Sequence, residues 1–417
     1  MRVLLSAYAC EPGKGSEPGV GWHWAVELAR LGHEVVVITR SNNRAIIDKA
    51  LADTPIVGLY FHYYDLPSWG KWWKRGSQGV YLYYWLWQRG AFRQAKRLTH
   101  EMRFDLVHHL TFGVFRQPSY LGRLGLPFVV GPIGGGEMTP ILLRGSFPAK
   151  EAFKEMIREV ANKMAYWNPS VSAMFRQATV IFSKTRETTA ILPVACRGKS
   201  REQLETGLEP QSIRRESIAE TASTDFLYAG RLVYWKGLHL ALEALSELRR
   251  DRPNATLTVI GTGTDEASLK KLSARLGLQN SVRWLGWIPH EEMWAQYRRY
   301  TAFVFPSLHD SSGNVLLEAL SQGLPSICLD TGGPGAILPQ TCGIKVPIEN
   351  RTKAEVVGDL TNAMRKLADN PELRVQMGLR AIEVAGASTW RDVVSRAYAY
   401  VEHALDASRR RSLDNRA

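Results

Sequence analysis

The sequence predicts an α/β protein built from two Rossmann-like, doubly wound domains. With 417 residues the chain exceeds what one ordinary hydrophobic core accommodates, so two domains are expected. It opens with an apolar strand pattern over 2–8, a glycine-containing loop, a helix and a second strand over 34–39, which together form a βαβ unit. The same order of strand, turn and helix restarts at Phe226. We therefore expect a first domain over 1–200, a linker over 201–223 and a second domain over 224–387.

Apolar runs bounded by glycine, proline and polar residues mark the remaining elements of the first half. They predict strands over 104–110, 127–131 and 179–183, and a helix over 151–165. That helix carries four apolar residues at helical spacing on one face, namely Phe153, Ile157, Val160 and Met164. Residues from about 192 to 223 lose this periodicity and collect Pro, Gly, Glu and Ser, which indicates the linker.

The second half repeats the alternation of strands and helices. A strand and turn over 226–237 lead into a helix over 238–250, and further strands are predicted over 257–261 and 282–289. Arg231 and Lys236 flank the first turn, where two cations could clamp a diphosphate. The last helix is expected over about 388–405, and a basic tail over 408–417 is expected to be disordered.

The stretch from Phe303 to Pro334 carries the strongest functional signal. A buried strand, a polar loop, a helix over 315–322 and a strand over 326–329 form a parallel α/β unit whose loop faces the open end of the sheet. Free N–H groups at the start of the helix favour an anion there. Asp310 and Glu318 lie eight positions apart across this loop, and their carboxylates could accept hydroxyl hydrogen bonds. The combination suggests a sugar nucleotide; the alternative is a plain cap residue and a solvated helix residue.

Composition limits the class of protein. A hydrophobic content of 45% and a charged content of 22% are typical of a soluble globular chain, and no stretch approaches the length of a membrane span. The four cysteines are far apart and form no C-x-x-C pair, so we expect reduced thiols in a cytoplasmic protein. The formal net charge of +13 favours anionic partners.

An aromatic and basic segment precedes the third strand of the first half. Thirteen aromatic residues lie over 60–92, and eight Lys/Arg but one Asp/Glu lie over 66–103. These aromatics could be the core of a helical hairpin, or they could form a surface that docks on the inner face of a membrane. Stacking on nucleic acid would use the same residues, but the chain carries no recognisable nucleic-acid module, so no nucleic-acid partner is expected.

Several motifs resemble those of the retaining family 4 glycosyltransferases, whose acidic-x7-acidic signature usually reads E-G-F-G-x-x-x-x-E-A-[ML]-A-x-G-x-P. The residues that match this form are Gly313, Glu318, Ala319, Leu320, Gly323 and Pro325. The first acid is Asp310 rather than Glu, and Ser311 and Ser312 stand where glycine and an aromatic are common. The stretch from Gly230 to Gly237 is similar to the family element G-R-[LF]-x-x-x-K-G.

A third element, D-x-[IV]-H-x-H, is matched in part. His108 occupies the place of its first histidine, Leu110 that of the second, and His109 is additional. Because alternation along a strand sends His108 and His109 to opposite faces, only one of them can face the ligand. We favour His109, which lies nearer the strand end; the alternative is a satisfied histidine at the sheet edge.

The resemblance implies a GT-B architecture, in which two Rossmann-like domains face a cleft and the last helix, over about 388–405, packs back on the first domain. The second domain would hold a nucleoside diphosphate sugar, and the first a saccharide or lipid-linked acceptor. The resemblance implies that the catalytic residues are His109, Arg231, Lys236 and Asp310. The donor would contact Gly15, Gly261, Gly263, Ser312, Gly313, Asn314 and Glu318. The acceptor side would comprise Ser16, Glu17, Gly135, Gly136 and Glu137.

The chemistry implied by the family is hexose transfer with retention of configuration, in cell-envelope or exopolysaccharide biosynthesis. No Asp-x-Asp and no metal-spaced His/Cys cluster occurs in the sequence, so we expect neither a metal nor another cofactor. Arg231, Lys236 and the helix end at Gly313 would neutralise the leaving group instead. A nucleotide-sugar epimerase or hydrolase on the same fold, and a catalytically inactive sugar-nucleotide-binding protein, are the alternatives.

Overall fold

A computed structural model describes residues 1–70, 79–145, 147–216, 218 and 224–414. The chain divides into two compact units. The first comprises Met1–Gly136, Val160–Gly207 and Trp390–Ala417, and the second comprises Glu137–Glu159 and Leu208–Thr389. The strands are β1 Arg2–Ser6, β2 Glu34–Thr39, β3 Leu59–Tyr63, β4 Leu106–His109, β5 Phe128–Ile133, β6 Val180–Ser183, β7 Ser200–Glu202, β8 Asp225–Ala229, β9 Thr256–Ile260, β10 Val282–Gly286, β11 Ala302–Phe305, β12 Ser326–Leu329 and β13 Gly343–Val346.

Sixteen α-helices lie within the described ranges. They are α1 Ser16–Arg30, α2 Arg44–Asp53, α3 Val80–Glu101, α4 Ile141–Arg144, α5 Ala149–Trp167, α6 Pro169–Gln177, α7 Arg186–Ile191, α8 Val194–Arg197, α9 Leu238–Leu248, α10 Glu266–Arg275, α11 His290–Tyr297, α12 Asn314–Ser321, α13 Gly332–Ile337, α14 Lys353–Asp369, α15 Pro371–Gly386 and α16 Trp390–Asp414.

Each unit is built on one parallel sheet. The first sheet has the order β3-β2-β1-β4-β5-β6-β7, and the second has the order β10-β9-β8-β11-β12-β13. The strand order reverses beside β1 in the first sheet and beside β8 in the second. In doubly wound sheets this point, at the carboxyl ends of the strands, is where ligands bind. The two parallel sheets confirm the predicted fold class.

Both faces of the first sheet are covered by helices. Val3 and Leu5 join one apolar cluster with α1 and α16, while Leu4 joins a second cluster with α3 and α6 on the other face. This period-two distribution is what a parallel strand buried on both faces requires. The terminal helix α16 therefore lies in the first unit, with Val394 and Tyr398 fully buried against the core.

The aromatic segment differs from the predicted hairpin. It forms strand β3 and helix α3, and Tyr83, Tyr84 and Trp87 of α3 are buried in the core. Tyr81 and Leu82, at the start of the same helix, are about half exposed. Residues 71–78, with two of the tryptophans, lie outside the described residues.

Two further expectations are corrected. Residues 137–159 were expected in the first domain but group with the second unit. The predicted disordered tail from Ser408 is wrong, because α16 continues through Asp414. No glycine or proline interrupts residues 408–414, and their three arginines and one leucine have high helix propensity, so nothing in this stretch stops the helix. The four cysteines are free and buried. Among the described residues, no helix has both the length and the apolar character to cross a bilayer.

Three deeply buried histidines predict acid-sensitive stability. Burial lowers the pKa of His108 to about 4 and the pKa values of His109 and His239 to about 3. A histidine in the unfolded chain has a pKa of about 6.5. Below that pH the unfolded chain binds protons that the folded chain excludes, so the free energy of unfolding falls by up to about 1.4 kcal/mol per pH unit for each histidine until the folded pKa is reached.

His239→Phe tests this with one group removed. The ring stacks on Tyr234 with centroids 4.1 Å apart, so phenylalanine preserves the contact while deleting the titration. The free energy of unfolding, measured with denaturant between pH 7 and pH 4, should depend less steeply on pH in the variant than in wild type. The difference in slope should correspond to about one fewer proton taken up on unfolding. Equal slopes for the two proteins would contradict a neutral, buried His239.

Candidate functional site

The site in the second unit lies where two neighbouring strands end. β8 pairs in parallel with β11, so the loops that follow them emerge at the same edge of the sheet. The loops are pressed together at Gly237, whose φ is +73° and whose missing Cβ would lie 1.7 Å from the carbonyl oxygen of Pro306. The amide of Leu308 also donates to the carbonyl of Trp235 at 2.8 Å. Glycine is therefore required at 237, and the two loops have a fixed register.

This register joins Lys236 to Asp310 in an ion pair. Their side chains are only 14% and 15% exposed, and the Lys236 ammonium also lies 5.2 Å from the ring centre of Phe305. Burial alone would raise the pKa of Asp310, but the Lys236 charge and backbone N–H donors from Ser312 and Gly313 hold it below its ordinary value. Asp310 is thus ionised at neutral pH and is held next to a cation.

Arg231 lies on the same loop and is exposed. The backbone of the loop after β9 packs closely against the Arg231 loop. A Cβ on Gly261 would lie 2.0 Å from the Gly230 carbonyl, and a Cβ on Gly263 would lie 2.2 Å from the Leu232 carbonyl. The two glycines that we expected to border the nucleotide therefore first serve to hold the Arg231 loop against the loop after β9.

The loop after β11 ends at the start of α12. Gly313 is the N-terminal cap residue with φ +68°, and a Cβ there would lie 3.1 Å from Pro334. The amide of Ser312 donates to Oδ1 of Asp310 at 3.2 Å, and the Asn314 Oδ1 atom is buried with no hydrogen-bond partner among the described residues. Asp310, Ser312 and Gly313 are thus gathered at one helix N-terminus, as predicted from the sequence.

Glu318 lies one turn into α12 and is held by two partners. Tyr297 donates to Oε2 at 3.1 Å, and His290 Nε2 lies 3.3 Å from Oε1. The Glu318 carboxylate raises the pKa of His290 above its ordinary value, chiefly through this hydrogen bond, so His290 gains a proton more readily beside it. The carboxylate retains acceptor capacity for a further hydroxyl group, because each of its oxygens has two lone pairs.

His309 was not singled out by the sequence analysis, although it precedes Asp310. Its ring stacks on Trp235 at 5.7 Å, Nδ1 lies 2.8 Å from Arg158 Nη1, and Nε2 lies 2.6 Å from Glu155 Oε1. Since a guanidinium can only donate, Nδ1 accepts and Nε2 carries the hydrogen that is donated to Glu155. Burial lowers the pKa of His309, with Glu155 opposing, so the ring is neutral at pH 7.

The partners of His309 belong to α5, about 150 positions earlier in the chain. Arg158 also donates to the carbonyl of Glu137 at 2.8 Å. Glu137 is 1% exposed, and its Cγ would lie 3.3 Å from a Cβ on Gly332, the residue whose neighbour Gly333 donates to the Asp310 carbonyl. The expected acceptor-side residue Glu137 therefore lies beside the Asp310 loop within the second unit. No periodicity or motif in the sequence links these positions.

The remaining predicted residues lie in the first unit. Gly15 caps α1 with open space at its Cα, Ser16 has φ +58°, and the Glu17 carboxylate accepts from the amide of Gly113 at 2.8 Å. Burial raises the pKa of Glu17, and the charge of Lys184 opposes it. Among the described residues no group of three or more His, Cys, Asp and Glu side chains could hold a metal ion.

Both histidines of β4 are buried. His108 bonds through its two ring nitrogens to the Tyr398 hydroxyl at 3.0 Å and the Gly131 carbonyl at 2.7 Å. His109 Nε2 lies 3.2 Å from the Tyr84 hydroxyl, while its Nδ1 has no partner in the described part of the chain. His108 is therefore the satisfied member of the pair, and His109 keeps a free ring nitrogen.

Gly135 and Gly136 lie after β5, and their backbone groups form hydrogen bonds with two side chains. The Gly135 carbonyl accepts from Arg116 at 3.3 Å, and the Gly136 amide donates to the Thr188 hydroxyl at 3.1 Å. A Cβ on Gly136 would lie 2.6 Å from the backbone of Thr188, so no larger residue fits there. Gly136 thus lets this loop lie against α7, which contains Thr188.

Comparison with known proteins finds sequence similarity in the second half of the chain. Residues 210–384 match the family model of glycosyl transferases group 1. Curated relatives include the glycogen synthase of Mycobacterium tuberculosis, 34% identical over 36% of this chain and 35% of its own length. Another is the alpha-D-kanosaminyltransferase of Streptomyces kanamyceticus, 30% identical over 42% of this chain and 45% of its own length. The chain thus spans less than half the length of the curated relatives it matches.

Solved structures match nearly the whole chain. The sucrose-phosphate synthase of Thermosynechococcus elongatus aligns with a TM-score of 0.65 at 15% identity, covering 97% of this chain and 99% of that protein. Anabaena HepE in complex with UDP and glucose aligns with a TM-score of 0.58 at 14% identity, covering 97% and 99%. At such identity the likeness concerns the fold, and both sheets are those of the GT-B fold.

A double-mutant cycle tests whether Lys236 and Asp310 are energetically coupled. Asp310→Asn leaves a largely buried ammonium without its counter-charge and should destabilise the second unit by about 3 kcal/mol. Lys236→Met in the same chain removes that charge, so the double variant should regain part of the loss, with a coupling energy of about 1.5 kcal/mol or more in urea unfolding. If the changes in the free energy of unfolding of the two single variants simply add in the double variant, Lys236 and Asp310 are not energetically coupled.

Proposed function

We propose, from the glycosyl transferases group 1 domain at residues 210–384 and the charged loops that it contains, that the protein is a glycosyltransferase. It transfers a hexose-type sugar from a nucleoside diphosphate sugar to a saccharide or lipid-linked acceptor. The observation that carries the proposal is the Lys236–Asp310 ion pair at the N-terminus of α12, with Arg231 exposed on the same loop. Two cations, a carboxylate and the N-terminus of α12 meet there at the carboxyl edge of a parallel sheet.

The assignment of roles follows from the charges. Lys236 and Arg231 would bind the diphosphate, and the amides at Gly313 and Asn314 would add a positive end of a helix dipole. Asp310, ionised and facing the same space, would accept a hydroxyl hydrogen bond from the donor sugar. Glu318, one turn further along α12, would accept hydrogen bonds from hydroxyl groups of the nucleoside. Anabaena HepE, which was solved with UDP and glucose, supports a donor of this class.

In the proposed reaction the bond between the anomeric carbon and the diphosphate oxygen breaks, and the bonding electron pair leaves with the nucleoside diphosphate. The acceptor hydroxyl oxygen forms the new bond to the anomeric carbon, and its proton passes to a diphosphate oxygen. Attack on the same face retains the configuration. The two cations stabilise the charge that develops on the leaving group.

Three finer features belong to the same proposal. Charge stabilisation by Arg231 and Lys236 favours a reaction without a divalent metal or other cofactor. A carbohydrate polymer of the cell envelope or an exopolysaccharide is the proposed context, and the names of relatives such as glycogen synthase support carbohydrate assembly. The acceptor is proposed to bind the first unit near Glu17, His109 and the Gly135–Gly136 loop.

Alanine substitution at the two cations tests the donor assignment. Arg231→Ala and Lys236→Ala should each lower kcat/KM by a factor that corresponds to about 2–4 kcal/mol of transition-state stabilisation. The matched control is Arg250→Ala, at an exposed arginine two residues beyond the end of α9, and it should retain wild-type turnover. The assay uses a panel of nucleoside diphosphate hexoses with saccharide and lipid-linked acceptors, with and without excess chelator.

Each other result has a defined meaning. Wild-type turnover in the Arg231→Ala/Lys236→Ala double variant would exclude the donor site. Donor consumption that is independent of any acceptor would indicate an epimerase or hydrolase, and binding without turnover would indicate an inactive binding protein. Complete loss of activity in chelator, restored by Mn²⁺ or Mg²⁺, would contradict metal independence.

A further inference from the structure

Exposed large apolar residues are concentrated on two neighbouring helices. Nine of the seventeen such residues in the described part of the chain lie in α4 and α5. In α4 they are Ile141 and Leu142, which are 78% and 54% exposed. In α5 they are Phe153, Met156, Ile157, Val160, Met164, Tyr166 and Trp167. A monomeric protein seldom leaves so many in one place, so this surface calls for a partner.

Six of the α5 residues form one face. With about 100° between successive residues of a helix, Phe153, Met156, Ile157, Val160, Met164 and Trp167 fall within a sector of about 100°. This is the α5 apolar face. It extends over about four turns of a single continuous helix, from Phe153 at 58% exposure to Trp167 at 80%. The sequence predicted the periodicity, but the face that it marks points to solvent rather than to the core.

No acidic residue of α5 lies within the apolar face, and the partly exposed Glu159 is paired with Arg144 at 2.9 Å. Glu151 and Glu155 are buried on the opposite side of the helix, at 7% and 6% exposure. Lys150 and Lys163 are exposed and flank the apolar face on its two edges, about 60° and 80° from Phe153. Lys154, about half exposed, lies beside Lys150 although its ammonium also reaches Glu151 at 2.6 Å.

We propose that the α5 apolar face docks in the plane of an anionic membrane surface. A helix with a strongly apolar face, lysines along its edges, acids turned away and a tryptophan at its end has the properties of an interfacial amphipathic helix. The apolar side chains enter the boundary between head groups and acyl chains, Trp167 lies at head-group depth, and the lysines meet anionic lipid phosphates. The formal net charge of +13 favours the same partner.

The charge distribution favours a membrane over a second copy of the chain as the partner of the α5 apolar face. A second copy of the chain seated on this face would bring its own lysine edges against these, and like charges oppose such a contact. The aromatic segment over 60–103, our sequence-based candidate for membrane docking, places Tyr83, Tyr84 and Trp87 in the core, so its described part offers less apolar surface. The α5 apolar face therefore takes the docking role.

Vesicle co-sedimentation of the full chain tests the proposal. Wild type should bind phosphatidylglycerol vesicles at low salt at least tenfold more than phosphatidylcholine vesicles, and less at high salt. Phe153→Gln/Ile157→Gln/Met164→Gln should lower binding to anionic vesicles at least tenfold. Val57→Gln/Leu379→Gln, at two exposed apolar residues elsewhere, is the matched control and should bind as wild type does. Lys150→Gln/Lys163→Gln should weaken binding to anionic vesicles selectively.

Two readouts keep the test decisive. Far-UV circular dichroism and the thermal shift caused by nucleoside diphosphates should match wild type in every variant, which separates this proposal from the transferase assignment. Absence of vesicle binding by wild type would overturn the proposal, as would unchanged binding by the α5 triple variant. Loss of binding in Lys71→Glu/Lys74→Glu/Arg75→Glu alone would assign the contact to the aromatic segment. A dimer that the α5 variant dissociates, seen by sedimentation equilibrium, would assign the face to a second copy.

Discussion

The contact between the loops after β8 and β11 is the constraint on which the rest of the site depends. The two strands are neighbours in a parallel sheet, and Gly237 lets the two backbones touch at the Pro306 carbonyl. Only this approach brings Lys236 within reach of Asp310 and leaves Arg231 exposed beside them. A side chain at 237 would separate the loops and, with them, the opposite charges. The arrangement of charges is thus a consequence of backbone geometry.

Other residues of the second unit stabilise the loop after β11, which carries Asp310. His309 is neutral, stacked on Trp235 and hydrogen-bonded to Arg158 and Glu155, so the residue before Asp310 has little freedom. The carbonyl of Asp310 accepts from Gly333, and Glu137 packs next to Gly332. Residues 137–159 accordingly group with the unit whose site they support. Ordering of this kind, completed before a ligand binds, lowers the entropy lost on binding.

The sequence predicted much of this fold because the signals are local. Strand β12 and the strand Glu34–Thr39 have the predicted limits, since each is a short apolar run between breakers. Asp310 and Glu318 could be found because a strand, a loop and a helix fix their spacing. The hydrogen bond from His309 to Glu155 could not be predicted, because it joins distant positions that share no pattern. The apolar period of α5 was visible too, but periodicity shows which residues share a face and not whether that face is buried.

A crystal structure of the full chain with a bound nucleoside diphosphate tests the central claim most directly. The nucleotide to use is the one that raises the unfolding temperature most, since a ligand of the native state adds to its stability. We expect the diphosphate oxygens within hydrogen-bond distance of Lys236 and Arg231, with Glu318 facing the nucleoside and Asp310 facing the position of the donor sugar. A diphosphate bound away from both cations, or no stabilisation by any nucleoside diphosphate, would contradict the account.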